Sequence, residues 1–183
     1  EGQRVHFDVI YPTLERTNLK RVDLGNLLNI ERSLKEGAEI GGHPVSGHVD
    51  AEGVIQAYDR LGQNNRVQIQ LAERWLRYVF SHGFIAVNGV SLTVSDLDRD
   101  NQWFDVWLIP ETLRRTNLRD LTIGSCVNVE IHRGTQVAVD AIERAVHQFL
   151  EKRLAGHSIS KGLIDSLVNL PLVVEVTEKI DSD

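Results

Sequence analysis

The sequence predicts an all-β fold, with two small closed β-barrels in tandem, the first of them incomplete, followed by an α-helix. Three observations support this prediction: an internal repeat with a domain-sized period, short segments that alternate apolar and polar residues between turn signals, and an alanine-rich segment of helical periodicity. The predicted divisions are 1–38 for the end of the first barrel, 39–133 for the second, 134–154 for the helix and 155–183 for a tail without a clear structural signal.

The internal repeat relates residues 13–31 to residues 112–130 at a constant offset of 99. Nine of the 19 positions are identical, namely Thr13/Thr112, Leu14/Leu113, Arg16/Arg115, Thr17/Thr116, Asn18/Asn117, Leu19/Leu118, Gly25/Gly124, Asn29/Asn128 and Glu31/Glu130. Upstream, HFDV at 6–9 resembles WFDV at 103–106. Because the first copy holds only its last third, we expect about 55 residues of a two-barrel protein to precede Glu1, and the absence of methionine agrees with that.

An incomplete barrel leaves strand edges without partners. We therefore expect residues 1–38 to be poorly supported, or to lean on the second barrel or on another chain.

The second copy, from about Pro44 to His132, shows strand-like segments separated by the turn signals LGQNN, VNG and LDRDNQ. The strand segments are VSGHVDAEGVIQAYD, RVQIQLA, IAVNGVSLTVSDLD, QWFDVWLI and CVNVEI. Two further segments, AERWLRYVFSHG and PETLRRTNL, have the pattern of short helices. About six strands in this length favour a closed barrel, since closure removes exposed edges.

Residues 134–154 (GTQVAVDAIERAVHQFLEKRL) have helical periodicity. One stripe contains Val137, Ala141, Ala145, Gln148 and Lys152, and a neighbouring one contains Ala138, Ile142 and Phe149. Two interpretations stay open: the helix packs on its own barrel, or it is an oligomerisation helix.

The composition of the chain argues against nucleic acid and membrane partners. Of 183 residues, 42% are hydrophobic and 25% charged, and the net charge of −6 disfavours nucleic acid and anionic membranes. No apolar run approaches the roughly 20 residues of a membrane helix, and we expect no signal peptide. The single cysteine, Cys126, cannot form an internal disulfide, so we expect a cytoplasmic protein.

The segment EIGGHPVSGHVDAEG places His43 and His48 five residues apart among glycines. A zinc site would need further ligands at suitable spacing, and none is evident nearby, so we predict no metal. The histidines could instead be structural residues on glycine turns, or imidazoles that bind a planar ligand and transfer protons near pH 7.

Two other motifs have both structural and functional interpretations. VNGVSLTV puts Ser91 and Thr93 on one strand face, where two hydroxyls could bind a heterocycle, but a hairpin with β-favouring threonine is equally typical. LIPETLRRTNL places Pro110 at a helix start with Glu111 or Thr112 near its N–H groups. Because IYPTLERTNL repeats this pattern, it belongs to the fold.

Together, the repeat and the motifs EIGGHPVSGHVD, GFIAVNGVSLTV, LIPETLRRTNL and GSCVNVEI resemble the riboflavin synthase family over residues 4 to about 150. The resemblance implies tandem six-stranded Greek-key barrels and a homotrimer formed through the helix at 134–154. It implies the dismutation of two molecules of 6,7-dimethyl-8-ribityllumazine to riboflavin and 5-amino-6-(D-ribitylamino)uracil, without a metal or organic cofactor. Each site would lie between the first barrel of one chain and the second barrel of a neighbour, and lumazine synthase is a candidate partner.

By motif position, the resemblance implies catalytic roles for His48 and Ser91. Substrate binding is implied for three groups of residues in the second copy and for one stretch in the first. These residues are Gly47, His48 and Val49; His82, Ser91, Leu92 and Thr93; Ile109, Pro110, Glu111, Thr112, Leu113 and Arg114; and Asp8, Val9, Ile10, Tyr11, Pro12 and Thr13.

Three positions depart from the family pattern. His82 stands where lysine is expected, Asn88 where some members have aspartate, and His132 where an aspartate is expected. Asn88 can still accept hydrogen bonds and turn the chain, whereas His82 and His132 change the charge. The N-G-x-x-L-T-V hairpin of the first barrel is absent, so we expect this chain to bind one ligand in the second barrel and to turn over poorly. The alternatives are a non-catalytic lumazine- or flavin-binding protein of the fluorescent antenna type and an unrelated flavin-binding barrel of a reductase.

Overall fold

The computed structural model describes residues 4–154, and within them every β-strand lies in the second copy of the repeat. The strands are β1 (Ala51–Leu61), β2 (Asn64–Gln70), β3 (Phe84–Val87), β4 (Val90–Asp98), β5 (Trp103–Leu108) and β6 (Cys126–Ile131). The α-helices are α1 (Tyr11–Arg16), α2 (Glu73–Leu76), α3 (Pro110–Arg115) and α4 (Arg133–Leu154), and short 3-10 helices span Asn18–Arg21 and Asn117–Asp120. The predicted tail, 155–183, lies outside the described residues.

The six strands close into an antiparallel barrel in the order β1-β2-β5-β4-β3-β6. Closure is completed by β1 and β6, where Ala51 pairs with Val129 and Val54 with Cys126. Every strand therefore has two neighbours, and no ladder edge of the barrel is left open. The predicted closed six-stranded barrel and the helix that follows it are confirmed.

Alternation along the strands builds the core. In β2, Val67 and Ile69 are buried while the residues beside them are more exposed, as expected for a half-buried strand. The largest fully buried side chains are Phe104, Ile55, Ile69, Leu71, Leu76, Ile85, Leu108, Leu118, Val67, Val87, Val94 and Val106. The barrel interior is thus filled by aliphatic side chains and one phenylalanine.

The predicted helix in AERWLRYVFSHG is shorter than expected, since α2 covers only Glu73–Leu76. Beyond it the backbone bonds become i to i+3, as in Val79 N to Leu76 O at 3.0 Å. His82 then adopts a φ of +63°, which a continuing right-handed helix excludes. The predicted turn at Asn88-Gly89 is confirmed, because both residues have positive φ and connect β3 to β4 as a two-residue hairpin.

The two copies have the same local structure where their sequences match. Thr17 Oγ1 donates to Thr13 O and Thr116 Oγ1 donates to Thr112 O, both at 2.7 Å. Each threonine oxygen also accepts from the N–H two residues on, at 3.3 Å, and so caps the 3-10 helix that comes next. The motif that both copies share therefore specifies a helix, a break and a 3-10 turn.

Four asparagines, Asn18, Asn29, Asn117 and Asn128, join the copies, and we name them the asparagine clasp. Asn18 N donates to Asn128 Oδ1 at 2.7 Å, and Asn117 N donates to Asn29 Oδ1 at 2.8 Å. Asn18 Nδ2 donates to Cys126 O and Asn117 Nδ2 to Leu27 O, each at 3.0 Å. Since these bonds are related by the offset of 99, the contact is reciprocal. Within residues 18–29, the first copy therefore leans on the second barrel, which is one of the expected alternatives.

The first copy forms no strand within residues 4–50, although its last segment matches β6. Leu28 and Ile30, which correspond to the buried Val127 and Val129, are exposed. A strand needs a neighbour for its backbone groups, and the residues present supply none here. Local structure that needs only near neighbours, such as α1, forms nonetheless.

Helix α4 begins directly after the barrel. Its first turn is anchored by Gln136, whose Nε2 donates to Asp50 Oδ2 at 2.9 Å and to Ile131 O at 3.2 Å. Farther along, Val137, Ile142 and Phe149 are each 58% exposed. Among residues 4–154, none of the helices has both the length and the apolar character needed to cross a membrane.

Candidate functional site

A cleft of about 400 Å³ lies on the outer face of the barrel, over β3, β4 and β5. Ser91, Thr93 and Ser95 face it, while Leu92 and Val94 between them are buried, so β4 alternates as expected for a barrel wall. The cleft is lined by Gly42, His82, Phe84, Ser91, Leu92, Thr93, Val94, Ser95, Trp107, Ile109 and Thr112. It combines hydroxyl groups with exposed aromatic rings, which suits a polar heterocycle.

The hydroxyl of Ser91 is held by the segment that enters the second barrel. His43 N donates to Ser91 Oγ at 3.1 Å, and His43 Nδ1 lies 2.6 Å from the same oxygen. Gly42 approaches so closely that a Cβ added there would lie 2.3 Å from Ser91 Oγ, and its φ is +86°. Glycine is therefore required at this position. The segment before the barrel thereby orients one of the predicted catalytic residues.

His43 is almost fully buried, at 5% exposure. Its ring stacks on Phe84 with centroids 5.1 Å apart and meets His132 edge-on at 5.8 Å. Burial, followed by the nearby His132, lowers the pKa of His43, and the carboxylate of Glu130 opposes this. Nε2 of His43 is buried and has no hydrogen-bond partner among the described residues. These contacts favour a neutral imidazole.

His48, the other predicted catalytic residue, is exposed and does not line the cleft. Its Nδ1 lies 3.0 Å from Ser46 Oγ, and its backbone N–H donates to the same oxygen at 3.4 Å. Gly47, between them, has a φ of +79°. The structure therefore separates His48 from Ser91, and a ligand that touches both would have to extend beyond the cleft.

The other predicted binding residues divide into two sets. His82, Ser91, Leu92, Thr93, Ile109 and Thr112 line the cleft. Gly47, Val49, Pro110, Glu111, Leu113, Arg114 and the stretch Asp8, Val9, Ile10, Tyr11, Pro12 and Thr13 do not. On α3, Glu111 pairs with Arg114 and Arg115, and Leu113 packs against the core. The roles assigned to these residues remain predictions.

All three departures from the family pattern take part in side-chain contacts, and His132 does so through its edge-on contact with His43. Asn88 Oδ1 accepts from Asn128 N at 2.8 Å and from Asn18 Nδ2 at 3.3 Å, so it links the hairpin before Ser91 to the asparagine clasp. An aspartate could accept the same two bonds. His82 lines the cleft with its Nδ1 3.0 Å from Ser81 Oγ.

Five cleft residues are not predicted from the sequence: Gly42, Phe84, Val94, Ser95 and Trp107. Alternation could have found Phe84 and Trp107, because each lies on a strand next to a buried residue and so points outward. Exposed aromatic residues on a barrel wall are a signal for ligand contact. Gly42 could not be found in this way, since its role depends on tertiary proximity to Ser91.

Within residues 4–154, no group of three or more His, Cys, Asp and Glu side chains is arranged to hold a metal ion. Two pairs of polar side chains at and beside the cleft are held by hydrogen bonds, His43 with Ser91 and His82 with Ser81.

Comparison with known proteins identifies the family of the barrel. The model of the lumazine binding domain family matches residues 46–132, which is the barrel itself. Among solved structures, LumP complexed with 6,7-dimethyl-8-(1'-D-ribityl) lumazine is similar, with a TM-score of 0.58 at 22% identity over 66% of this chain and 64% of that one. LumP complexed with riboflavin is similar to the same extent, with a TM-score of 0.58 at 23% identity over 67% and 65%. At this identity the likeness shows the fold.

Curated relatives are more similar in sequence. Riboflavin synthase of Buchnera aphidicola subsp. Baizongia pistaciae is 42% identical over 75% of this chain and 64% of its own length. That of Buchnera aphidicola subsp. Schizaphis graminum is 40% identical over 78% and 68%, and that of Escherichia coli is 38% identical over 79% and 68%. The chain spans about two thirds of the length of these relatives. It therefore belongs to the riboflavin synthase family.

Proposed function

We propose that this chain is a riboflavin synthase, which converts two molecules of 6,7-dimethyl-8-ribityllumazine to riboflavin and 5-amino-6-(D-ribitylamino)uracil. The observation that supports this most is the cleft on β3, β4 and β5, where Ser91 and Thr93 lie beside Phe84 and Trp107 in a member of this family. Hydroxyls can bind the ring edge or the ribityl alcohols, and aromatic side chains can stack on the heterocycle.

The reaction needs little more than positioning and proton transfer. The C7 methyl of the lumazine is acidic because the ring delocalises the carbanion that remains, so a base can remove its proton. One lumazine then gives a four-carbon unit to the other, and no external oxidant or reductant is consumed. Holding two substrates face to face replaces a bimolecular encounter, which accounts for much of the rate.

The roles of individual residues depend on their surroundings. Ser91, oriented by His43 N and Nδ1, presents its hydroxyl to the ring. His48 is exposed with Nδ1 beside Ser46, and its Nε2 has no partner among the described residues, so this atom can take or return a proton. Because His48 does not line the cleft, we infer that it serves the site shared with a neighbouring chain.

We also infer a homotrimer formed through α4. Val137, Ile142 and Phe149 are exposed on this helix, and apolar stripes of this kind pack between helices. Lumazine synthase, which would supply the substrate, is a candidate partner, and we place the protein in the cytoplasm.

The direct test is to incubate the purified chain with 6,7-dimethyl-8-ribityllumazine and to follow riboflavin by its absorbance. We expect riboflavin to form above the uncatalysed background, slowly where the first-barrel site is incomplete. The His48→Ala variant should turn over more slowly by about 10²-fold or more, as expected for loss of a general base. His6→Gln serves as the control for replacing an exposed histidine and should match the parent chain.

The second candidate function is a non-catalytic lumazine- or flavin-binding protein, which the similarity to LumP favours. The same assay separates the two, since a carrier would bind the lumazine without forming product. Binding measured by fluorescence, together with no riboflavin above background, would overturn the enzyme proposal. An unchanged rate for His48→Ala would remove His48 from the chemistry.

A further inference from the structure

Glu130 is a buried acidic residue with no role assigned so far. It lies on β6 opposite Ala86 of β3 and is only 7% exposed. Its neighbours Val129 and Ile131 are also buried, so both faces of the barrel wall are covered at this point. An ionised carboxylate is costly to bury unless its oxygens accept hydrogen bonds. The hydrogen bonds to this carboxylate therefore indicate the role of Glu130.

Both oxygens of Glu130 accept from consecutive backbone N–H groups of one turn. Ser46 N donates to Oε1 at 2.6 Å, and Gly47 N donates to Oε2 at 2.9 Å. These residues directly precede His48, and Ser46 Oγ in turn contacts His48 Nδ1 and accepts from His48 N. The carboxylate is thus connected to the imidazole through Ser46, whose backbone N–H binds Glu130 and whose hydroxyl contacts His48.

The geometry of this turn requires a carboxylate. Two adjacent N–H donors need two acceptors on one side chain, and Glu130 presents both. A glutamine would offer one acceptor and turn an NH₂ group toward a donor. An aspartate would keep both acceptors but reach less far by one methylene. Gly47 has a φ of +79°, a backbone conformation that residues other than glycine rarely adopt. The turn therefore depends on the hydrogen bonds that Glu130 accepts.

We propose that Glu130 is a positioning residue: its carboxylate binds the Ser46 and Gly47 N–H groups and so directs the imidazole of His48 toward the substrate. The proposal rests on the proposed function, because it takes His48 to be the proton-transfer group. It extends that function to a residue that does not line the cleft.

The repeat supplies a matched control for this residue. Glu31 occupies the position equivalent to Glu130 in the first copy, at the offset of 99. It is exposed, and it makes no hydrogen bond or ion pair with the described residues. Glu31→Gln therefore removes the same charge from the same sequence context without touching the turn before His48.

The kinetic test compares Glu130→Gln, Glu130→Asp and Glu31→Gln in the full chain. A displacement of about 1 Å at a reacting group can cost about 10²-fold, so we expect Glu130→Gln to lower kcat about tenfold or more with KM changed less. Glu130→Asp should recover part of this loss, and Glu31→Gln should match the parent chain. A rise in KM with kcat unchanged would contradict the proposal.

A double variant tests whether Glu130 acts through His48. In a His48→Gln background, Glu130→Gln should have little further effect on kcat, because the group that it positions is already gone. If the two losses multiply instead, Glu130 acts by some other route and the proposal is wrong. Should Glu130→Gln fail to fold, the same cycle with Glu130→Asp decides the question.

An NMR measurement tests the positioning independently of activity. The amide protons of Ser46 and Gly47, which donate to a charged acceptor, should resonate downfield in the parent chain. Glu130→Gln should shift both upfield and alter the His48 ring signals, whereas Glu31→Gln should leave them in place. Unchanged spectra would overturn the proposal. If instead the spectra change as expected but the parent chain forms no riboflavin, the proposed function fails while the contact stands.

Discussion

At the scale of single residues, His43 links protonation to folding. Its pKa is lowered by burial and by His132, so the unfolded chain binds a proton more readily than the folded one. In the interval between the lowered folded value and the ordinary value of about 6.5, stability therefore rises with pH. The contribution of His43 is fully present above about pH 6.5 and is lost as the pH falls through this interval.

We predict that the melting temperature of the parent chain falls between pH 7.5 and 5.5 more steeply than that of His43→Gln. The reason is that the variant lacks the buried imidazole whose protonation opposes folding. Thermal unfolding followed by circular dichroism at several pH values measures the difference. The control is His6→Gln, an exposed histidine, which should keep the slope of the parent. Equal slopes for all three chains would show that His43 does not titrate in this range.

Asp105 illustrates how one buried carboxylate shapes a strand. It is 1% exposed, its Oδ1 accepts from Asp96 N at 2.9 Å, and its Oδ2 accepts from Arg66 Nε at 2.5 Å. The bond to Asp96 lies where the register of β4 and β5 shifts between Val94 and Leu97. Asp105 therefore satisfies a backbone group that the bulge leaves without a ladder partner.

We predict that Asp105→Asn lowers the free energy of unfolding by roughly 1–3 kcal/mol, the cost of weakening hydrogen bonds to a charged, buried group. Arg66 is partly exposed, so water offsets some of its loss and the lower half of this range is expected. Urea denaturation measures this difference in the free energy of unfolding, provided that the slope with urea concentration, m, is the same for both chains. The matched control is Asp8→Asn, the exposed counterpart in the first copy, which should change stability by less than about 0.5 kcal/mol.

At the scale of elements, the asparagine clasp holds the first copy against the barrel. Asn29 Oδ1 accepts from Asn117 N at 2.8 Å, and Asn29 Nδ2 donates to Asn117 Oδ1 at 3.0 Å. Side-chain amides can satisfy backbone groups here because the 3-10 helices leave their first N–H groups without partners. The contact thus substitutes for the strand pairing that residues 22–38 lack.

We predict that Asn29→Ala speeds hydrogen exchange of the Asn117 amide about fivefold, since a hydrogen bond of this kind contributes about 1 kcal/mol. The hydrogen-exchange rate of the Asn117 amide, measured by NMR, tests this prediction. Asn26→Ala provides the control, because Asn26 Oδ1 accepts only from Asp23 N in its own loop. If both variants exchange equally fast, the bond seen between Asn29 and Asn117 does not protect that amide.

At the scale of the whole molecule, the proposed trimer makes a prediction about α4. Phe149→Asp places a charge on the apolar stripe, where burial between helices would be costly, so it should shift the assembly toward monomer. Size-exclusion chromatography with light scattering measures the mass. Glu143→Lys changes the charge more but lies on the side of the helix opposite both stripes, and it should leave the assembly intact. A parent chain that is monomeric at all concentrations would contradict the trimer itself.

Local patterns in the sequence are sufficient to predict the barrel and the helix that follows it. Alternation in β2 and β4, the Asn88-Gly89 turn and the repeat predict a closed six-stranded barrel, and helical periodicity predicts the helix after it. These signals are local, and each reflects the period of a single element. The same locality explains why α2 covers only four residues of the segment that predicts a short helix, since the backbone changes to i to i+3 hydrogen bonds after Leu76.

The candidate site is predictable in part. Alternation alone places Ser91 and Thr93 on one face, and the cleft contains both. The contact of His43 with Ser91, the asparagine clasp and the bonds of Glu130 to Ser46 and Gly47 are not predictable. Each joins residues more than 40 positions apart, and no periodic pattern connects them.

Residue order alone therefore establishes the barrel, its repeat and the family, because these depend on spacing along one chain. Which histidine lies against Ser91 and which stays exposed is decided only when the barrel closes and brings β4, β6 and the segment at 42–48 together. Closure buries Glu130 and His43 Nδ1 in surroundings where an unsatisfied polar group is costly, and their hydrogen bonds to Ser46, Gly47 and Ser91 offset this cost.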